Sequence, residues 1–256
     1  MPLISEINNN VLYLTLNRPE KLNALTEAML TGLLSELKKA EKDTSVRTIV
    51  LQGSGKGFCA GQDLPDLESK VQSFYEYIQA FYLPLVSKIR SIEKPILTAA
   101  NGVIAGAGSA LFLAGDLRVC STRATLTTAF SKIGLPGDTG ITWMLTRQAG
   151  WNRAFELLTR SEKISAHTLK DFHLCEHLFE ETTFETDLIA LAEQMASGPT
   201  RTYGLIKRAL NHGMSSGFEE HLEYEAWLMD VAAQTADHAE GMTAFKEKRP
   251  PIFVGK

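Results

Sequence analysis

Cysteine is scarce. The chain has 256 residues and three cysteines, Cys59, Cys120 and Cys175. They are too few and too scattered for a disulfide framework or a zinc site, so no metal is expected. Charge of one sign is also lacking: 26 basic residues face 30 acidic ones, a net of −4. That balance gives no bulk attraction to nucleic acid or an anionic membrane, although it leaves room for a local basic pocket for a phosphorylated ligand. No apolar run reaches the ~18–20 residues of a membrane span. The opening MPLISEINNNVLYLTL lacks the basic start and apolar run of a signal peptide, and the Arg/Ser-rich character of a transit peptide. Low-complexity stretches, long linkers and convincing internal repeats are missing too. These absences lead to the expectation of a reduced, cytoplasmic, globular protein. What is present is 44% hydrophobic and 22% charged residues, enough for a large core in one or two domains.

The hydrophobic pattern orders that core. LISEI and Val11–Leu16 read as strands joined by a turn at Asn8-Asn9-Asn10. From Thr26 the period changes: Met29, Leu30, Leu33, Leu34 and Leu37 recur at three and four, with Thr26 as N-cap. A strand over Val46–Leu51, a helix over about Val71–Arg90, a strand over Pro95–Ala100, a short helix over Gly106–Leu113 and a strand over Leu117–Cys120 follow. This alternation predicts an α/β fold with a parallel sheet and crossover helices. After Thr139 strands nearly stop, and helices are expected around 140–150, 151–159, 184–197, 199–211, 218–233 and 237–247. Ser197-Gly198-Pro199-Thr200 reads as a hinge between a core over 1–197 and a helical region over 198–256.

Several motifs are near misses. Gln52-Gly53-Ser54-Gly55-Lys56-Gly57 lacks the spacing and the Ser/Thr of a phosphate loop. Asn101–Gly108 opens a helix after a strand, but a dinucleotide fingerprint needs glycine where Leu111 stands. Its small residues still let a ligand approach the backbone, beside the free N–H groups of a helix start. His173 and His177 lie four apart with Cys175 between them, without the carboxylate spacing of a metal helix, and read as surface histidines. Trp143 and Trp227 sit in apolar helical patterns and read as core. In Gly134-Leu135-Pro136-Gly137-Asp138-Thr139-Gly140, Asp138 taken alone reads as the N-cap of the next helix. Asp63, Asp66 and Asp116 read likewise as loop, helix start and turn.

Taken in order, the segments stop being independent. Asn17-Arg18-Pro19-Glu20-Lys21-Leu22-Asn23-Ala24-Leu25, then Gly57-Phe58-Cys59-Ala60-Gly61-Gln62-Asp63-Leu64, then Lys94-Pro95, Asn101-Gly102, Ala105-Gly106-Ala107-Gly108, Gly115-Asp116-Leu117-Arg118 and Ala244-Phe245-Lys246-Glu247-Lys248-Arg249-Pro250 together resemble the enoyl-CoA hydratase/isomerase (crotonase) family over nearly the whole chain. The resemblance implies a crotonase (ClpP-like) fold of repeated ββα units. It also implies a C-terminal helical region that makes homotrimers, often paired into hexamers, and an acyl-CoA thioester substrate. Coenzyme A is then part of the substrate and no separate cofactor is implied. The family's oxyanion-hole N–H groups fall on Gln62 and Ala107. Lys56 would lie near the CoA phosphates, the Ala60 carbonyl would meet adenine, and Phe245 and Lys248 would reach a neighbouring subunit's CoA.

Departures from the family pattern narrow the chemistry. Hydratases of the family use two glutamates, at positions that here hold Ala110 and Phe130. Neither side chain moves a proton. Asp138 remains, in a loop that resembles that of family isomerases, including the ring-1,2-epoxyphenylacetyl-CoA and Δ3,Δ2-enoyl-CoA isomerases. Dehalogenases of the family pair such an Asp with a His, and the matching residue here is Ser87. The expectation is an isomerase with Asp138 as its one base. Hydratase-like activity, thioester hydrolysis and a non-catalytic acyl-CoA-binding subunit stand as alternatives. Phe74, Tyr75, Tyr77, Phe81 and Tyr82 are expected near the acyl pocket.

Overall fold

The computed structural model describes residues 1–68 and 72–256. β1 (Leu3–Asn8) turns through Asn9 and Asn10, both with positive φ, into antiparallel β2 (Val11–Leu16). Asparagine tolerates that conformation better than most residues. α1 (Glu27–Lys42) starts at Thr26, whose side chain accepts from Met29 N. It buries Met29, Leu30, Leu33 and Leu37, the periodic positions.

A three-part unit then repeats. β3 (Thr48–Gly53) is followed by β4 (Gly57–Cys59) and a helical stretch: α2 (Leu64–Glu68), α3 (Phe74–Tyr77), a π turn over Ile78–Tyr82, and α4 (Leu83–Ser91). β5 (Ile96–Ala100) is followed by β6 (Val103–Ala105) and α5 (Ala107–Leu113). β7 (Leu117–Ser121) is followed by β8 (Thr125–Thr127), a 3-10 turn over Phe130–Ile133, and α6 (Ile141–Ala149). In each unit the first strand joins a large sheet and the second a small one. The large sheet runs β1-β2-β3-β5-β7-β10 and the small one β4-β6-β8-β9. These are the ββα units.

α7 (Trp151–Arg160), β9 (Ile164–Ser165), α8 (Ala166–Asp171) and β10 (His177–Phe179) complete the sheets. α9 (Phe184–Ser197), α10 (Thr200–Gly213), α11 (Phe218–Ala233) and α12 (Ala236–Glu247) follow. The large sheet is covered on both faces. Leu12, Leu14, Leu16, Ile49, Leu51 and Ile96 pack into the main core with α1 and α4. Val11, Val50, Leu97, Ala99 and Val119 pack on the stripe Phe184, Leu188, Ala192 and Ala196 of α9. Two covered faces explain why the strands read as unbroken apolar runs.

Several expectations need correction. The strand expected at Val46 begins at Thr48. Val71, the expected helix start, lies outside the described residues, and the helical stretch from Phe74 is broken by the π turn. The surface reading of His173 holds, since it is exposed at φ +57 in the turn after α8, whereas His177 is half-buried where it begins β10 beside β7. Trp143 and Trp227 are not core residues, being 40% and 48% exposed. Each instead lies under an arginine, Arg147 and Arg208 respectively. At the Ser197–Thr200 segment, Arg47, the residue before β3, donates to Gly198 O at 2.5 Å and Thr200 Oγ1 at 3.1 Å. All three cysteines are free and buried. Among the described residues, no helix is long and apolar enough to cross a membrane.

Candidate active site

Two tight turns at the ends of adjacent small-sheet strands build one wall of a cavity. β4 pairs with β6, which brings Ala60-Gly61-Gln62 beside Gly106-Ala107. Gly61 has φ +99, and a Cβ there would sit 3.1 Å from Ala105 O and 3.5 Å from Ala107 N. Gly106 has φ +52 and ψ −129, a conformation that L side chains rarely adopt. Both glycines are therefore dictated by the close approach of the two turns.

The peptide around Gln62 is held from one side. Leu25 N donates to Gly61 O at 2.7 Å, and Asp63 N donates to Leu25 O at 2.9 Å. In this parallel bridge the Gln62 N–H points away from Leu25. Ala107 is the first residue of α5, so its N–H lies outside the helix's own ladder. Asp63 is held by Arg18 at 2.8 Å, which keeps its carboxyl below the usual range and commits it to the turn. Cys59 is fully buried beneath, and burial pushes its thiol up to about 12, so it stays protonated.

The cavity has a volume of about 200 Å³. Leu64, Leu67, Phe74, Ile78, Phe130 and Leu135 make its apolar wall. Tyr77 and Tyr82 also line it, and Tyr75, at 73% exposed, does not. Phe81 lies behind, its ring 4.8 Å from that of Tyr77. Asp138 is the one carboxylate among the described lining residues. It sits in a loop whose Gly134, Gly137, Thr139 and Gly140 all have positive φ. Its Oδ1 accepts from Thr139 Oγ1 at 2.7 Å. Burial raises its pKa, and the threonine bond offsets that in part.

The capping role read for Asp138 from the sequence is not observed. α6 starts from Gly140 without a side-chain cap, and Asp138 contributes only its backbone carbonyl, to Ile141 N at 3.0 Å. Ala60, Gln62, Ala107 and Asp138 come together on the cavity. Lys56 lies exposed on the turn into β4. Phe245 and Lys248 lie exposed at the end of α12, apart from the lining. Phe130 lines the cavity, whereas Ala110 is buried in α5 beneath it. Ser87 is exposed on α4 and does not line the cavity.

A sequence model described as enoyl-CoA hydratase/isomerase matches residues 6–256. The chain belongs to the enoyl-CoA hydratase/isomerase family. It is 37% identical to the 1,2-epoxyphenylacetyl-CoA isomerase of Escherichia coli (strain K12), over 99% of this chain and 98% of that protein. It is 39% identical to a "Probable enoyl-CoA hydratase" of Rhodobacter capsulatus, over 98% of this chain and 97% of that protein. The crystal structure of an enoyl-CoA hydratase from Bacillus anthracis superposes with a TM-score of 0.95 at 28% identity, covering 100% of both chains. The ββα units and the C-terminal helices are thus the crotonase fold, and the protein is an enzyme of the enoyl-CoA hydratase/isomerase family.

Proposed function

We propose that the protein is an acyl-CoA isomerase that shifts a double bond, or expands a ring epoxide, through a thioester enolate with Asp138 as its single base. The observation that carries this reading is Asp138, raised by burial and the one carboxylate among the described lining residues of a largely apolar cavity flanked by Gln62 and Ala107. Gln62 N–H and Ala107 N–H hold the thioester oxygen. Asp138 takes a proton from the α-carbon and charge builds on that oxygen as a dienolate. The same carboxyl returns the proton at the γ-carbon. A 1,3-shift needs no second acid and no redox cofactor. Each N–H donor contributes roughly 3–4 kcal/mol to the enolate-like transition state. A desolvated carboxylate is a stronger base than a solvated one, and the apolar wall keeps water away from it.

Hydration is disfavoured by Phe130 and Ala110, since the first closes the wall and the second is buried. The similarity to a 1,2-epoxyphenylacetyl-CoA isomerase supports an isomerase, and the aromatic lining of Phe74, Tyr77, Tyr82 and Phe130 suits a cyclic acyl group. Lys56 and Ala60 would receive the CoA moiety. Phe245 and Lys248 would reach that of a neighbouring subunit in a homotrimer or a dimer of trimers.

Asp138→Asn tests the assignment. Isomerisation of 3-enoyl-CoA should fall by about 10³-fold, in the range set by loss of a general base. Acyl-CoA binding, followed by calorimetry, should stay within about twofold because the N–H donors are intact. Turnover retained in the variant would refute the role of Asp138. In deuterated water the wild type should form Δ2 product that keeps most of the transferred protium, because the same carboxyl returns it behind an apolar wall, and absence of both exchange and product would mark a binding protein instead.

A further inference from the structure

Tyr77 and Tyr82 are five residues apart. On an α-helix that spacing turns two side chains about 140° away from each other. The π turn over Ile78–Tyr82 replaces it with an i→i+5 turn, which brings them to one side. Both then meet the Gln62 side chain. Tyr82 Oη donates to Gln62 Oε1, and Gln62 Nε2 donates to Tyr77 Oη at 3.3 Å. Both phenols are buried. Burial, together with nearby acidic groups that include Asp138, keeps the Tyr82 proton in place far above the usual phenol range. Tyr82 is therefore a fixed donor.

This polar bridge stands in a wall that is otherwise apolar. An amide and two phenols placed there cost stability unless they satisfy one another, which they do. The bridge also ends on the residue whose backbone N–H faces the cavity. The peptide before that N–H belongs to Gly61, which has the most backbone freedom of any residue type. Leu25 restrains the peptide through the two backbone bonds described above, and Cys59 Sγ adds a weaker contact to Gly61 O at 3.8 Å.

We propose that Tyr82, with Tyr77, is a positioning residue: by clamping the Gln62 side chain it fixes the direction of the Gln62 N–H toward the thioester oxygen. This rests on the oxyanion role of Gln62 proposed above and adds to it the device that sets its geometry. The π turn is then the backbone feature that makes the clamp reachable by both tyrosines.

The test uses two variants. Tyr82→Phe keeps the ring and removes the donor. Gln62→Met keeps the backbone N–H and side-chain length and removes both bonds. Each should lower kcat by about tenfold, less than the hundredfold of a 1 Å misplacement. KM should stay within about twofold, because the loss falls on the transition state. The double variant should be no slower than the slower single one, since both act through the same N–H. A direct readout is the absorbance of bound cinnamoyl-CoA, whose band moves to the red when its carbonyl is polarised. Wild type should show that red shift, and Tyr82→Phe and Gln62→Met should lose at least half of it while still binding. A full red shift in both variants, or multiplicative losses in the double variant, would overturn the proposal. The red shift needs no base, so Asp138→Asn should keep it. Turnover by Asp138→Asn would refute the base while leaving the clamp standing, whereas no red shift in wild type would refute the clamp.

Discussion

Asp138 shows how a site residue is chosen by its surroundings. Its nearest polar partner is a threonine hydroxyl, and its carboxyl is raised by burial. The carboxyl therefore binds its proton more tightly in the folded chain than in the unfolded one. The stability from that proton is fully present below the ordinary aspartate value of about 3.9 and is lost as pH rises through the folded value. Asn lacks the charge altogether. Asp138→Asn should thus melt a few degrees above wild type at pH 7, and the two curves should converge as pH falls towards about 4. A lower melting temperature for the variant at pH 7 would mean that the carboxylate is stabilised where it sits. The same raised value should place the acid limb of kcat/KM above the ordinary aspartate range. Sequence alone made Asp138 a candidate only through its loop, and its bland reading as a cap failed because Gly140 occupies that position. Tyr77 and Tyr82 were legible as pocket aromatics, but their bonds to Gln62 were not. Those bonds depend on a π turn, and no residue pattern in the chain announces one.

At the scale of elements, the long periodic segments were readable and the short ones were not. α1 was fixed by Thr26 and a repeating leucine face. β4, β6 and β8 have three residues each, too few for any alternation to register, so the small sheet went unread. β10 escaped for the same reason, since three residues complete the sixth position of the large sheet. The docking of α10 against α4 and the starts of β5 and β7 was equally hidden, because part of it rests on one buried lysine. Lys207 Nζ donates to Ile89 O at 2.8 Å and to Asp116 Oδ2 at 2.7 Å, and Asp116 Oδ2 also accepts from Ile96 N at 2.9 Å. Burial lowers the Lys207 pKa and Asp116 pulls it back. Lys207→Met would leave the carboxylate with the Ile96 N–H and Ile89 O without its donor. We expect a loss of about 2–3 kcal/mol in urea unfolding, the lower part of the range for breaking a buried pair because Asp116 keeps some solvent contact. Adding Asp116→Asn should recover part of it. A single variant within about 0.5 kcal/mol of wild type would show that α10 is held by its apolar contacts and its remaining bonds, such as Asn211 to Arg90 O and Arg208 to Glu93.

The whole chain exposes more large apolar side chains than its catalytic core requires. Leu210 is 66% exposed on α10, Phe218 and Met229 are 79% and 69% exposed on α11, and Phe245 is 82% exposed on α12. The 44% hydrophobic composition therefore does more than fill one core. Single exposed apolar residues are ordinary on a monomer, but large ones concentrated on one run of helices mark a surface that a partner covers. A second copy is the partner proposed here, with residues 198–256 as the element that joins copies. Sedimentation at micromolar concentration should therefore give a mass three or six times the chain's 28.2 kDa. Phe218→Glu with Met229→Glu places two charges in that contact and should shift the distribution towards monomer, since buried unpaired charge costs several kcal/mol. If Phe245 meets a neighbour's ligand, the dissociated variant should bind acyl-CoA more weakly while its circular dichroism stays that of wild type. A wild-type chain that sediments as a monomer, or a charged variant that assembles unchanged, would reassign these side chains to another partner.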